Sequence, residues 1–198
     1  MGKWKVVFVD TCRVGIDNFV PIARSLEKKG HTSLLIHRGS IGAEPGRPRE
    51  EFIHGVLCRD VAFYGKRFIH SILKEERPDA VVMLTTFYLL DRAVILACRA
   101  LGIKSFFLMP GIREVDQTYI STKEYESKFK KLNKLSAIAN KLPKYLSYVV
   151  PNYLYSGIMS SKFFLFTSAP WRALFELLLQ PGRKMLYPTP SHDIHCDI

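Results

Sequence analysis

The sequence lacks paired cysteines, a glycine-rich nucleotide fingerprint and any long uninterrupted apolar run. Its four cysteines are widely separated, with no Cys-x-x-Cys pair, which is typical of reduced thiols in a cytoplasmic protein. The amino-terminal segment reaches an acidic residue after four apolar ones, too early for the core of a secretion signal. Val6 stands where the myristoylation pattern requires Ser or Thr. We therefore expect a cytoplasmic chain.

Acidic residues are also scarce. The chain has 18 Asp and Glu against 29 Lys and Arg, a formal charge of +11, which indicates an anionic partner. Nucleic acid, anionic lipid headgroups and phosphorylated substrates all fit this charge. The sequence has no RNA-recognition signature and no basic run interleaved with stacking aromatics, so we expect no nucleic-acid partner.

The clearest pattern covers residues 4–31 and predicts a strand, a loop and a helix. Val6 to Val9 is an apolar run typical of a strand that is buried on both faces of a parallel sheet. Apolar positions from Phe19 to Leu26 then recur at helical spacing, and Gly30 ends the helix. The loop between them contains a single glycine, Gly15, whereas the dinucleotide fingerprint needs three. This excludes an NAD-binding loop.

Residues 77–111 repeat the same logic, with strands predicted over 80–84 and 105–109 around a helix that ends at Gly102. A short strand is predicted over 52–57, and another over 163–166, followed by a helix. This alternation predicts an α/β fold with a doubly wound, Rossmann-like parallel sheet.

Both blocks resemble the amino-terminal, acceptor-binding half of GT-B-fold glycosyltransferases, as in capsule and lipopolysaccharide-type glycan synthesis. The first carries KVVFV, Gly15, a helix with Pro21, and Gly30-His31 before the next strand. The second carries Pro-Asp before a strand, Leu-Gly-Ile after a helix and a strand that closes on a glycine. The sequence departs from the pattern at Pro110-Gly111, where many relatives have His-Gly.

The resemblance implies a nucleotide-sugar donor as substrate, a glycan or lipid-linked acceptor, and no cofactor. It also implies that the chain is incomplete alone and needs a donor-binding partner domain. We predict a Rossmann-like core over 1–118, a basic amphipathic helical insertion over 119–162, the last strand and helix over 163–185, and a linker over 186–198.

The insertion contains a lysine-rich amphipathic segment from Lys123 to Lys144. Such a segment is typical of peripheral attachment to an anionic membrane, here at the inner face, although a helix packed on the domain with solvated lysines fits equally. Residues 146–166 are apolar, but Pro151, Asn152 and Gly157 argue against a membrane span and favour interfacial insertion or packing under the domain.

Candidate site residues lie in loops at the carboxyl edge of the predicted sheet, where open α/β sheets bind ligands. Gly15 would let backbone N–H groups approach a diphosphate, and Arg13 would neutralise part of its charge; a turn glycine and a solvated arginine are the alternative. Contacts to the sugar or phosphate are also assigned to Thr85, Thr86 and Gly111, although either threonine would equally cap the next helix.

Inverting glycosyl transfer needs a general base for the acceptor hydroxyl. The candidates are Asp17, Glu114 and Asp116, each of which would otherwise be a helix cap or a solvated acid. The tail residues His192, Asp193, His195, Cys196 and Asp197 are all potential metal ligands, but no second ligand cluster accompanies them, so we expect no metal site.

We therefore expect the acceptor-binding half of a hexosyltransferase-like enzyme. Two alternatives remain open from the sequence. One is a sugar-nucleotide 2-epimerase-like domain, and the other is a non-catalytic module that recruits a partner to the membrane.

Overall fold

The computed structural model describes residues 2–10, 16–41, 48–65, 68–84, 88–108, 142–143 and 145–179. These residues confirm the α/β class, with a six-stranded sheet and helices on both of its faces. The strands are β1 Lys5–Asp10, β2 Thr32–His37, β3 Glu50–Ile53, β4 Val56–Asp60, β5 Ala80–Met83 and β6 Lys104–Phe107. The helices are α1 Ile16–Lys28, α2 Ile69–Glu76, α3 Leu89–Leu101, α4 Val150–Ser160 and α5 Ser168–Leu179.

The strand order is β3-β4-β2-β1-β5-β6, and every neighbouring pair is parallel except β3 and β4. The sheet is therefore predominantly parallel, as predicted, with β3 added antiparallel at one edge. The single strand predicted over 52–57 is wrong, since a turn at His54 and Gly55 divides it into an antiparallel pair. Both turn residues have positive φ, 50° and 83°, the conformation that matches the twist of a tight hairpin.

The sheet is packed on both faces. Phe8 from β1 and Phe19 from α1 meet on one face, with ring centroids 4.9 Å apart. The opposite face is covered by α2, α3 and α4, and Val7 of β1 and Val81 of β5 belong to its core. Because both faces are buried, the central strands carry the continuous apolar runs seen in the sequence.

The connections divide between the two faces. The connection from β1 to β2 passes through α1 on one face, whereas those from β4 to β5 and from β5 to β6 pass through α2 and α3 on the other. The neighbouring strands β1 and β5 therefore lead the chain in opposite directions. Their carboxyl ends form the topological switch point, which is the usual ligand crevice of an open α/β sheet.

The carboxyl-terminal helices pack on the domain. A π-helical turn, Tyr145–Val149, leads into α4, and the buried Asn152 of α4 joins it to α2. The Asn152 side-chain oxygen accepts from the backbone N–H of Ile69 at 2.7 Å, and its amide donates to the Tyr148 carbonyl at 2.9 Å. Asn152 thus satisfies a backbone donor at the start of α2 from another helix.

Residues 164–166 form a 3-10 turn, so the strand predicted over 163–166 is wrong. Phe164 is buried, whereas Phe163 and Phe166 are exposed, so the run does not fill a two-sided core as a central strand would. A short apolar run cannot by itself distinguish a strand from a buried turn. Within the part of the chain that the structure describes, no helix has the length and apolar character needed to cross a membrane.

Candidate functional site

The predicted donor contacts follow β1 and β5, and the carboxyl ends of these two strands are neighbours at the switch point. Val9 of β1 is paired with Met83 of β5, so the chain leaves the sheet from adjacent positions at their carboxyl ends. Arg13 and Gly15 follow β1, while Thr85 and Thr86 follow β5; all four lie outside the described residues. The topology therefore gives these two loops adjacent starting points, as a ligand site at this edge requires.

Three other predicted site residues follow β6, the strand next to β5. These residues, Gly111, Glu114 and Asp116, lie outside the described residues, as does the segment from Lys123 to Lys141. Their assignments stay predictions.

Asp17 is the predicted general base that the structure describes. It lies in the first turn of α1, and its side chain is 80% exposed. An Asp17 carboxylate oxygen is 3.9 Å from Nε2 of His54, which belongs to the turn between β3 and β4. Since both side chains are exposed, this contact is weak and leaves the carboxylate accessible to another molecule.

The amino end of α3 also lies at this edge. The Asp91 carboxylate accepts from the backbone N–H of Tyr88 at 3.1 Å, which satisfies one of the donors that a helix start leaves open. An acid in the first turn of a helix is also favoured by the helix dipole. Asp91 therefore helps to cap the start of α3, whose N-cap residue is Tyr88, while the roles of Thr85 and Thr86 stay predictions.

A second group of polar residues ends three adjacent strands, and the sequence did not indicate that they meet. Asp10 ends β1, His37 ends β2 and Asp60 ends β4, and the strand register pairs Asp10 with His37 and His37 with Asp60. Register partners in neighbouring strands project from the same face of the sheet. Part of the signal was present in the sequence, since Asp10 and His37 each directly follow an apolar run, whereas Asp60 follows Arg59.

His37 and Asp60 are both 1% exposed, and His37 Nδ1 lies 3.2 Å from an Asp60 oxygen. The same nitrogen accepts from the backbone N–H of Gly39 at 3.2 Å, which in a neutral imidazole puts the proton on Nε2. Burial keeps this pair from direct contact with a substrate, so we treat both as positioning residues.

What the pair positions is the start of the loop after β2. The Asp60 carboxylate accepts from the backbone N–H of Ser40 at 2.9 Å and from the Ser40 hydroxyl. It also accepts from the backbone N–H of Ala62 at 2.8 Å, capping the 3-10 turn after β4. One buried carboxylate thus ties together the segments that follow β2 and β4 at the carboxyl edge of the sheet.

Two tyrosines of the π-helical turn lie close enough to this edge to interact with its charges. Burial raises the pKa of both Tyr145 and Tyr148, while the charge of Arg38 opposes the rise in each case. Both phenols are therefore protonated donors at neutral pH. The buried Tyr148 hydroxyl has no hydrogen-bond partner among the described residues. A bound polar group or a water would satisfy it.

No protein-family model matches the chain, and no curated protein matches it. Among solved structures, the chain is similar to the spinosyn forosaminyltransferase SpnP, with 16% identity and a TM-score of 0.34. The match covers 62% of this chain and 36% of that chain, so this chain spans little more than a third of that neighbour's length. So distant a likeness assigns no activity to this chain.

Proposed function

We propose that the chain is the acceptor-binding half of a nucleotide-sugar-dependent glycosyltransferase that acts on a membrane-associated glycan. The observation that carries this proposal is the switch point between β1 and β5, from which the loops with Arg13, Gly15, Thr85 and Thr86 both depart. A diphosphate bound there would meet a cation and the backbone donors of a glycine-containing loop.

The proposed reaction is attack of an acceptor hydroxyl oxygen on the anomeric carbon of the sugar. The bond to the nucleoside diphosphate breaks, the diphosphate leaves with the bonding electron pair, and a carboxylate takes the hydroxyl proton. Asp17 is the best supported base because its carboxylate is exposed at the start of α1, directly after the β1 loop. Glu114 and Asp116 are the other candidates, and Gly111 is assigned to donor binding.

The proposed partners follow from charge and from the resemblance to acceptor halves. A donor-binding domain would complete the site, and no cofactor is involved. The excess of positive charge, concentrated between Lys123 and Lys144, would hold the chain at the inner face of an anionic membrane, near a lipid-linked acceptor. The pair of His37 and Asp60 supports this function by tying together the segments that follow β2 and β4 at the carboxyl edge of the sheet.

The test uses the native protein, purified from its own cells with any partner chain that accompanies it. It is incubated with UDP-, GDP- and dTDP-hexoses, with and without a lipid extract of the same cells. Release of nucleoside diphosphate that depends on the extract is the expected result. A donor isomer formed without the extract would identify an epimerase instead, and neither product with any donor would favour a non-catalytic module.

The variant Asp17→Asn tests the base. We expect a loss of kcat of about 10²–10⁴-fold, the usual contribution of general base catalysis. Asp79→Asn is the matched control, because Asp79 is an exposed aspartate at the opposite, amino-terminal edge, where it accepts from the Lys5 backbone N–H at 2.7 Å. Full turnover in Asp17→Asn would move the assignment to Glu114 or Asp116.

A further inference from the structure

The segment that follows α4 presents large apolar side chains to solvent. Phe163 is 72% exposed, Phe166 86%, Trp171 59% and Phe175 60%, and Leu165 is also exposed. We name these five residues the aromatic tip. An exposed apolar surface of this kind, concentrated in 13 residues of sequence, is typical of an interaction site rather than of scattered surface residues.

The aromatic tip is held rigidly by one buried neighbour. Phe164 inserts into the domain, where its ring packs edge-on against Tyr153 with centroids 5.5 Å apart. Gly157 of α4 makes this approach possible, because a Cβ at that position would overlap the Phe164 ring. With Phe164 fixed inside, Phe163 and Phe166 are directed outward.

The polar groups of the turn are largely satisfied within it. Backbone N–H groups of Phe164, Phe166 and Thr167 donate to carbonyls three residues earlier, at 2.9–3.2 Å. The Trp171 indole N–H donates to the Leu165 carbonyl at 2.7 Å, and the Thr167 hydroxyl donates to the Phe164 carbonyl at the same distance. A segment with few open donors loses little when it leaves water for a lipid interface.

Positive charge flanks the aromatic tip. Lys162 and Arg172 are exposed beside its side chains, and residues 145–175 contain no Asp or Glu, although Glu176 directly follows Phe175. Segments that bind an anionic bilayer surface usually combine aromatic residues, which insert at the depth of the headgroups, with neighbouring cations.

We propose that the aromatic tip inserts into the interface of an anionic lipid membrane. This surface is separate from the lysine-rich segment between Lys123 and Lys144, and the inference does not depend on the transferase activity. It needs only the exposure, the anchoring and the charge of residues 161–175. Its effect would be to fix which side of the domain faces the bilayer.

The experiment is flotation of the full chain with vesicles of phosphatidylcholine alone or with added phosphatidylglycerol, without any nucleotide sugar. We expect binding to the anionic vesicles, weakened more than about tenfold by the double variant Phe163→Ser with Phe166→Ser, since two buried phenyl rings are lost from the lipid. Phe52→Ser is the matched control, because Phe52 is 73% exposed on the edge strand β3 and should not contact the membrane.

Two further measurements separate insertion from simple charge attraction. Lys162→Gln and Arg172→Gln should each weaken binding about fivefold, the effect of one basic residue near an anionic surface. In a Trp4→Phe variant, Trp171 is the one remaining tryptophan. Its fluorescence should shift to shorter wavelength on vesicle addition and be quenched by brominated lipid.

Several results would overturn the proposal. One is wild-type affinity for anionic vesicles in the double phenylalanine variant, above all if neutralising Lys130, Lys131 and Lys134 abolishes it. Another is a loss of vesicle binding in Phe52→Ser that equals the loss in the double phenylalanine variant. A change of oligomeric state with unchanged vesicle binding would mean that a second copy covers the aromatic tip. Because no donor is present in the assay, these results are independent of whether the protein transfers sugar.

Discussion

The Glu76 carboxylate and the aromatic tip belong to the same helical layer, formed by α2, α3 and the segments after them, yet they differ in their relation to water. Glu76 is a charged group that is 7% exposed, whereas Phe166 is an apolar group that is 86% exposed. Each reverses the usual distribution of polar and apolar groups. The comparison shows which interactions allow a charged group to be buried in one place and apolar rings to be exposed in the other.

Glu76 is tolerated because both of its oxygens are bonded. One oxygen accepts from the Tyr64 hydroxyl at 2.6 Å and from Arg59 at 2.8 Å, and the other accepts from Lys5 at 2.6 Å. Burial by itself would raise the pKa of Glu76, but the hydrogen bonds from Lys5 and Tyr64 and the charges of Lys5 and Arg59 outweigh it and hold the pKa below 4.5. The compensation here is electrostatic.

The aromatic tip is tolerated for a different reason. Phe164 anchors the 3-10 turn inside the domain, and hydrogen bonds within the turn satisfy its backbone N–H groups. The turn therefore keeps its shape although the neighbouring Phe163 and Phe166 rings remain in water. Nothing in this arrangement requires Phe163 or Phe166 for folding. Glu76 therefore belongs to the stability of the domain, whereas the exposed rings are available for function.

Among the changes that remove a polar interaction, the largest expected effect comes from Glu76→Gln. Removing the charge leaves Lys5 without its carboxylate partner and Arg59 paired with Glu50 alone among the described residues, so we expect the free energy of unfolding to fall by about 2–4 kcal/mol. Chemical unfolding in urea at pH 7 measures this. Glu75→Gln is the matched control, since Glu75 is the exposed neighbour on the same helix and its change should stay within about 0.5 kcal/mol. Equal losses in both variants would mean that the buried network contributes nothing special.

The wild type and Glu76→Gln should also differ in how their free energy of unfolding depends on pH. Because the pKa of Glu76 is lowered in the folded state, its contribution is complete above the ordinary value of 4.5 and is lost as the pH falls through the folded-state pKa. The wild type should therefore lose stability more steeply below pH 4.5 than Glu76→Gln does. Parallel curves in that range would contradict the network.

A smaller effect is expected from Gly157→Ala, which acts on the anchor of the aromatic tip. The new methyl group would overlap the Phe164 ring and force it out of place, so the free energy of unfolding should fall by about 1–3 kcal/mol. Thermal unfolding monitored by circular dichroism measures this. The adjacent Ser156→Ala is the control, because the Ser156 hydroxyl is fully buried with no partner among the described residues. Its removal should be neutral or slightly stabilising.

Much of the fold could be predicted from the sequence because its signals are local. The buried strand at Val6 to Val9 and the helix that Gly102 ends follow from apolar periodicity and capping, and the structure has both. The hairpin at His54 and Gly55 could not be predicted in this way, because its turn signal is a single glycine inside a short apolar run. Nor could the role of Phe164, which depends on the space above Gly157 in another helix.

The candidate site could likewise be predicted only where its signals are local. The sequence indicated which loops follow the strands, and the topology supports this by placing β1 beside β5. It did not indicate that His37 and Asp60 meet, because that contact depends on the register of β2 against β4, more than twenty residues apart in sequence. Contacts set by strand register cannot be read from local periodicity.

The smallest expected change in stability is that of the double variant Phe163→Ser with Phe166→Ser, which tests directly whether the exposed rings support the fold. Both rings are in water in the folded and the unfolded chain, so the free energy of unfolding should change by no more than about 0.5 kcal/mol. Phe164→Ala, in the same four-residue run, should lower it by about 3–5 kcal/mol because that ring is buried. Urea unfolding of the three proteins measures both. A large loss in the double variant would mean that the exposed rings support the fold, and the vesicle result would then have to be read as a folding defect.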